Sequence, residues 1–492
     1  MHNRANEPKD LRPVQGLDST EPSDAFAAFL KSHPSFEATQ SLEELRLKEY
    51  GRLDESGHTY LDYTGGGLYA DSQILEHLNL LRGEVFGNPH SGNPASVTTT
   101  RLVDSARDYV LEYFNASPDE YVAIFTANAT AAIKLVGEAY PFQAGDRYLL
   151  TFDNHNSING IREFAHMKGA SVNYVPVVPP ELRVAADRLA GDLVPTRPGQ
   201  HNLFAYPVQS NFSGVQHPLE WIDQAHDKGW DVLLDSAAFV PTNRLDLSKW
   251  HPDFVPLSFY KMFGYPTGVG CLIARKAALA KLSRPWFAGG TITFASVQAE
   301  DHILAEGEAA FEEGTINYLN LPAVEIGLRH ISRIGIDKIH ERVVCLTDWL
   351  LEDLVSIRHS NGSPLVRIYG PTGMNQRGGT IAINFHDPNG DLIDHRRIEA
   401  IASDEHISLR TGCFCNPGAG EIAHGLTKED MAVAFQDDGR MTFDEFLSVL
   451  EQQDGKSAGA VRVSLGMVTN FADVYRFSEF VRSLLDRKAE GI

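Results

Sequence analysis

Cysteine, basic charge and long apolar runs are all scarce in this chain. Four cysteines in 492 residues are too few for a disulfide framework and fit a reducing compartment in which a thiol stays available for chemistry. Lysine and arginine number 43 against 65 acidic residues, a formal net charge of −22. Nucleic acids and anionic membranes are gripped by clustered basic surface, so neither is expected as a partner. No apolar run approaches the ~18–20 residues of a membrane span, and no apolar core opens the chain, so neither a span nor a signal peptide is expected. A cytosolic location follows as the expectation. Residues 1–35 are polar and carry several prolines, which predicts a mobile arm. Apolar residues, by contrast, make up 43% of the chain, enough for a large core split between two domains.

Short apolar runs of strand length alternate with helical spacing. VAIFTA (122–127), RYLLTF (147–152), SVNYVPV (171–177), HNLFAYPV (201–208), DVLLDS (231–236) and the run before Lys261 read as strands. Helical spacing over 101–118 (Leu102, Ala106, Tyr109, Val110, Tyr113) precedes them, and ATAAIKLVGEAY starts a helix at a strand's end. Such alternation predicts an α/β fold with a mostly parallel sheet and helices on both faces. Ligands in such sheets bind beyond the carboxyl ends of the strands. Thr126, His155, Asn211, Asp235 and Lys261 all fall just past predicted strands, so one edge should collect them. A boundary is expected near Asn320–Pro322, giving a large domain over 36–320 and a smaller α+β domain over 321–492, with strand-like TIAINF (380–385) and VRVSL (461–465).

Two of those strand ends carry complementary chemistry. VLLDSAA (232–238) ends at Asp235, and PLSFYKMFGYPTGVG (256–270) places Lys261 after a strand and before Gly264, Gly268 and Gly270. A strand-end lysine and a strand-end carboxylate suit pyridoxal phosphate: the amine carries the cofactor covalently, and the carboxylate keeps the pyridine nitrogen protonated. Taken alone, the pair reads more readily as a surface lysine and a helix cap; the neighbouring motifs reverse that balance. QDDGRMTFDEFLSVL (436–450) has the outline of a calcium loop, but Ala434 and Gln436 stand where two ligands belong, so a turn and an amphipathic helix are expected instead. No metal site is expected.

The lysine segment resembles the cofactor segment of the class V aminotransferase and cysteine desulfurase superfamily, most of all the amino-terminal domain of molybdenum cofactor sulfurases. LDYTGGGLYADSQI (61–74), GNPHSGNPAS (87–96), IFTANATAAIKLVGEAYPF (124–142), RTGCFCNPGAG (410–420) and VRVSLGMVTNFADV (461–474) agree in order. The resemblance spans about residues 50 to 490 and implies the pyridoxal phosphate-dependent transferase fold type I, in which the amino-terminal segment joins the small domain. It implies that Ala129, Thr130, Ser258 and Tyr260 hold the cofactor phosphate, where free N–H groups at a helix start attract an anion. His155 would stack on the ring and move protons, and Asn211 would bond its phenolic oxygen. Ala238 stands where many desulfurases carry a glutamine to that oxygen. Thr315, in GTIN (314–317), would reach the phosphate of a neighbouring subunit, which implies a homodimer; a plain tight turn reads those four residues as well.

The same resemblance assigns the sulfur chemistry. Cys413 and Cys415 sit among glycine and proline on what reads as an exposed, mobile loop, with no second Cys or His cluster to complete a metal clip. The R-x-G-x-x-C pattern singles out Cys415 as the thiol that becomes a persulfide, and Gly420 stands where the sulfurases have a further cysteine. Arg462 would grip the substrate carboxylate through a bidentate pair, helped by Arg410, although both types of residue also serve in ordinary ion pairs. Cys271 and Cys345 lie in apolar runs and are expected in the core. The reading implied is a desulfurase converting L-cysteine to L-alanine, with sulfur passing from Cys415 to another protein or small molecule. The alternative is another enzyme on the same scaffold: a carbon–sulfur lyase, an epimerase or an aminotransferase. An idle scaffold subunit would have no use for Lys261 and Asp235.

Overall fold

A computed structural model describes residues 22–492 apart from 90, 434, 436–440 and 455–457. Seven strands form the central sheet: β1 Tyr121–Thr126, β2 Arg147–Thr151, β3 Ser171–Val175, β4 Leu203–Pro207, β5 Asp231–Asp235, β6 Phe254–Ser258 and β7 Gly270–Arg275. Their order is β1-β7-β6-β5-β4-β2-β3. The neighbours from β6 to β3 are parallel, while β7 runs antiparallel to both β1 and β6. Burial on both faces explains why these strands read as continuous apolar runs. Leu149, Phe204, Val232 and Val255 pack on one side of the sheet. Their chain neighbours Leu150, Ala205, Leu233 and Phe254 pack on the other, the period of two that a pleated strand imposes.

Helices cover both faces. Helix Ala129–Ala139 buries Ala132, Ile133, Leu135 and Val136 against one. Helix Pro94–Tyr113 covers the other with Val103, Ala106, Tyr109 and Val110. It begins well before the expected residue 101, because Asn93 caps it by accepting from the Ser96 N–H and Pro94 pre-sets the first turn. It ends at Tyr113 rather than 118, and Asn115 turns the chain with a positive φ of 51°.

A second sheet is built from β8 Val366–Tyr369, β9 Thr380–His386, β10 Leu392–Ile393, β11 Arg410–Gly412 and β12 Ala460–Ser464. Its order is β8-β9-β12-β11 with β10 on β9, antiparallel throughout. The amino-terminal segment joins it: Thr59–Tyr60 pairs in parallel with Ile407–Ser408, and Asp62 bridges to Ser464. The expected mobile arm over 1–35 does not hold for its described part. Residues 22–32 are a helix whose Phe29, 1% exposed, packs on Phe36 and Phe471 at centroid distances of 4.9 and 4.8 Å. Residues 1–21 lie outside the described residues.

The expected boundary near Asn320–Pro322 also moves. Helix Leu321–Ile334 puts Leu321, Val324, Leu328 and Ile331 into the large core, and Ile336 and Ile339 follow them. Val343, Leu346 and Leu350 of the next helix, Ile336–Ser356, belong to the second core. The chain therefore passes from one core to the other partway along one continuous helix, across His340, Glu341 and Arg342, with no Pro or Gly at the crossing.

Of the calcium-like segment, Ala434 and 436–440 lie outside the described residues. The helix expected after them is present as Phe443–Asp454. Glu445 is spent on its amino-terminal turn, accepting from the Thr442 N–H at 2.7 Å. Among the described residues no helix is long and apolar enough to cross a membrane, and no cluster of His, Cys, Asp and Glu could hold a metal ion.

Candidate active site

The carboxyl ends of β1, β2, β4, β5 and β6 converge on a cavity of about 340 Å³, lined by Asn128, Ala129, Thr130, His155, Gln209, Asn211, Asp235, Ser258, Tyr260 and Lys261 among others. Past β1 the chain turns into helix Ala129–Ala139, capped by Asn128 accepting from the Ala131 N–H at 2.9 Å. The Ala129 N–H donates to Ser258 Oγ at 2.9 Å. Gly270 on β7 permits this turn, since a Cβ there would stand 2.5 Å from the Asn128 backbone. Thr130 Oγ1 lies 2.8 Å from Ser157 Oγ. Past β6, the single turn Phe259–Phe263 carries Tyr260 and Lys261, and Gly264 ends it at φ 78°.

The electrostatics follow from enclosure. Withdrawal from water holds the Lys261 amine below the ordinary lysine range; Asp235 opposes that shift, while Arg462 and Arg410 add to it. Desolvation likewise holds His155 below the ordinary histidine range, again with Asp235 opposing. His155 Nδ1 accepts from the Ser157 N–H at 3.1 Å, so the neutral ring carries its proton on Nε2. Burial raises the Tyr260 phenol, which stays a proton donor. Asp235 Oδ1 accepts from the Ala237 N–H at 3.0 Å, which fixes the carboxylate against the turn after β5.

A second wall comes from the small domain and the amino-terminal segment. Arg462 on β12, 2% exposed, donates from Nη2 to Asp62 Oδ1 at 2.9 Å and from Nη1 to the Asn211 carbonyl at 3.1 Å. Its guanidinium lies over the Phe414 ring at 4.8 Å. Arg410 on β11 is committed to Asp62, from Nε at 2.9 Å and Nη2 at 2.7 Å. Cys415 is exposed, yet its loop is fastened on both sides. The Cys415 carbonyl accepts from the Asn156 N–H at 2.7 Å. Asn211 Nδ2 donates to the Phe414 carbonyl at 2.8 Å, and Asn416 Nδ2 donates to Asn211 Oδ1 at 2.9 Å. These bonds hold Phe414 and Cys415 in left-handed backbone, φ 55° each, a conformation costly for residues with a side chain. The loop expected to be mobile is instead clamped, because Asn211 and Asn416 reach across to it.

The structure thus brings Ala129, Thr130, His155, Asn211, Asp235, Ser258, Tyr260 and Lys261 around one cavity. Arg462 and the Cys415 loop are tied to the lining of this cavity through Asn211. Thr315 lines a separate cavity of about 230 Å³ that shares Ala127 and Gly268 with the first. Cys271 and Cys345 are buried, and burial pushes both thiols up. Asp62, Ser157, Gln209 and Asn416 went unread in the sequence. Asp62 stands in LDYTGGG, where nothing local points to its partners at 410 and 462. Gln209, whose Nε2 donates to the Ala238 carbonyl at 3.1 Å, gave no signal either.

The donor set fits pyridoxal phosphate. An amine held below its ordinary range, a buried carboxylate on the next strand and an imidazole share a cavity with a helix start and the Ser258 hydroxyl. The volume is that of a small-ligand site. Among curated proteins, the molybdenum cofactor sulfurase of Solanum lycopersicum is 35% identical over 489 residues, covering 92% of this chain and 59% of that protein. The human one is 36% identical, covering 90% and 51%. The chain spans about half to three-fifths of the length of these relatives. Among solved structures, an apo cysteine desulfurase from Thermococcus onnurineus NA1 superposes with a TM-score of 0.73 at 23% identity, covering 90% of this chain and 98% of that one. The cysteine desulfurase CsdA of Escherichia coli gives 0.69 at 19%, covering 90% and 99%. These likenesses are of fold, the pyridoxal phosphate-dependent transferase fold type I. The profile of the Aminotransferase class-V family matches residues 59–477, and the chain belongs to that family of pyridoxal phosphate enzymes.

Proposed function

We propose that this chain is a cysteine desulfurase of the molybdenum cofactor sulfurase type, converting L-cysteine and an enzyme thiol to L-alanine and an enzyme persulfide. The observation that carries this reading is Cys415: an exposed thiol on a loop fastened on both sides by the Asn156 N–H and Asn211 Nδ2. Pyridoxal phosphate on Lys261 supplies the electron sink that such a reaction draws on. Arg462 binds the substrate carboxylate, because its buried guanidinium keeps Nε without an acceptor among the described residues and a guanidinium edge matches carboxylate geometry. Lys261, with its depressed basicity, releases and regains a proton near neutral pH more readily than an ordinary lysine. His155, neutral with the proton on Nε2, would stack on the cofactor ring and be placed to move a proton. The Cys415 thiolate attacks the substrate sulfur; the carbon–sulfur bond breaks, a sulfur–sulfur bond forms and a proton completes alanine.

The same reading includes a homodimer in the cytosol. Hairpin Ile292–Ser296/Asp301–Leu304 exposes Phe294, Val297 and Ile303, and Trp286 and Phe287 are half-exposed nearby in sequence. Phe294 and Ile303 are cross-strand partners on one face of the hairpin, and Phe287 stacks on His302 of the other face at 4.3 Å; an exposed apolar hairpin of this kind suits a second copy of this chain. Thr315 would reach the partner's phosphate from there. Four free cysteines suit a reducing compartment. A fully active monomer in sedimentation would refute the dimer.

The decisive experiment compares Cys415→Ser with Cys413→Ser on L-cysteine. Cys415→Ser should reduce alanine formation to background while amino acid binding persists, and Cys413→Ser should be milder. Alanine or sulfide release undiminished in Cys415→Ser would favour a carbon–sulfur lyase, in which no protein persulfide forms.

A further inference from the structure

Asp62 is the point where the two arginines of the site meet. Its carboxylate accepts from Arg410 Nε and Nη2 at 2.9 and 2.7 Å and from Arg462 Nη2 at 2.9 Å. Asp62 is 7% exposed, and its backbone is pinned by the bridge to Ser464 and by the Tyr60 hydroxyl on its carbonyl. Gly65 keeps the clamp clear, since a Cβ there would lie 2.5 Å from Asp62 Oδ2 and 2.8 Å from Arg410 Nη2. The Gly67 N–H donates to the Tyr260 carbonyl at 3.0 Å, tying the same segment to the turn that carries Lys261.

Arg462 spends Nη2 on Asp62 and Nη1 on the Asn211 carbonyl, while its buried Nε has no partner among the described residues. A buried guanidinium N–H left without an acceptor is costly, so this edge is suited to an acceptor brought by a ligand. Two guanidiniums against one carboxylate leave one net positive charge.

We propose that Asp62 is a positioning and selectivity residue: it turns Arg462 so that one edge remains for a substrate carboxylate, and its charge restricts the site to amino acids with a single carboxylate. This rests on the amino acid reading above. Arg410 then acts on the substrate through Asp62 rather than by contact. With the Asp62 charge gone, the buried Arg462 guanidinium and the half-exposed Arg410 guanidinium would both be uncompensated and would attract a second acidic group on the ligand.

The test measures binding of L-alanine and L-aspartate to the cofactor-loaded protein by calorimetry and reads the ratio of the two affinities. The unaltered protein should prefer L-alanine. Asp62→Asn should move the ratio toward L-aspartate by about tenfold, the scale of one charge in a partly screened site. Asp62→Glu, which keeps the charge, should stay near the original ratio. Arg410→Gln, at a half-exposed side chain, should move it the opposite way, and it carries the test alone if Asp62→Asn does not fold. A purely structural Asp62 would weaken both ligands together. An unchanged ratio in Asp62→Asn, or in Arg410→Gln where that variant stands alone, overturns the proposal and leaves the desulfurase reading intact. Failure of the unaltered, loaded protein to bind either L-alanine or L-cysteine overturns the amino acid reading, and this proposal with it.

Discussion

The two walls of the site are assembled in different ways. On the large domain, each cradle residue arrives at the end of its own strand: Asp235 after β5, Lys261 after β6, His155 after β2. Neighbouring strands set the spacing, and few of these side chains depend on one another. On the other wall, residues 62, 211, 410, 414, 416 and 462 come from four separate stretches of chain and hold one another through hydrogen bonds. A change in the cradle should therefore remove one function and spare its neighbours. A change in the opposite wall should disturb several residues together.

Lys261→Ala tests the first half of that contrast and should have the largest effect. Proton transfer by a positioned group is worth about 10² to 10⁴-fold in rate, and here the covalent anchor of the cofactor goes as well. Turnover should fall to background, while thermal stability changes little, because the side chain lines a cavity rather than filling a core. Near-normal turnover in Lys261→Ala would refute the assignment. A large fall in melting temperature would show instead that the cradle is as interdependent as the other wall.

Asn416→Ala tests the second half, with a smaller effect spread more widely. Asn416 is fully buried and donates to the Asp153 carbonyl and to Asn211 Oδ1, while its own oxygen accepts from the Ala419 N–H to cap helix Pro417–His424. Losing a cap costs about 1 kcal/mol, and each buried acceptor left unpaired costs about 1–3 kcal/mol more. The melting temperature should drop, and Cys415 should become more reactive to a thiol reagent as Phe414 and Cys415 relax from left-handed backbone. Cys415 labelling at the unaltered rate would mean that the clamp does not govern the loop.

The same contrast explains what was legible in the sequence. The strands, the parallel sheet and the strand-end residues could be read because each depends on a local pattern: an apolar run, then a polar residue at its end. Asp62, Gln209 and Asn416 could not, since their importance lies in partners up to 400 positions away, as with Asp62 and Arg462. Arg462 and Cys415 were reached only through family resemblance, not through spacing. The domain crossing was misread for a related reason. Helix Ile336–Ser356 serves two cores with one uninterrupted apolar face, and periodicity is blind to which core a face meets. The amino-terminal helix failed on composition: a polar lead-in conceals two phenylalanines, Phe26 and Phe29, that both pack against Phe36 and Phe471.

The smallest expected effect links the two walls through charge. In the cofactor-free protein the Lys261 amine sits below the ordinary lysine range, chiefly through desolvation, with Arg462 and Arg410 lowering it further and Asp235 raising it. Reductive methylation needs the neutral amine, so Lys261 should be modified at lower pH than surface lysines, and its labelling should slow as falling pH protonates it. Arg410→Gln removes one of the positive charges that favour the neutral form. The Lys261 value should rise, and the labelling profile should move to higher pH. Asp235→Asn removes the charge that favours the ammonium, so its profile should move to lower pH. Opposite shifts of the two profiles, read residue by residue by mass spectrometry, would mean that the small-domain wall acts on the cradle through its field. If Arg410→Gln left the profile in place while Asp235→Asn moved it, the two walls would be electrostatically separate, and the coupling between them would have to pass through the substrate.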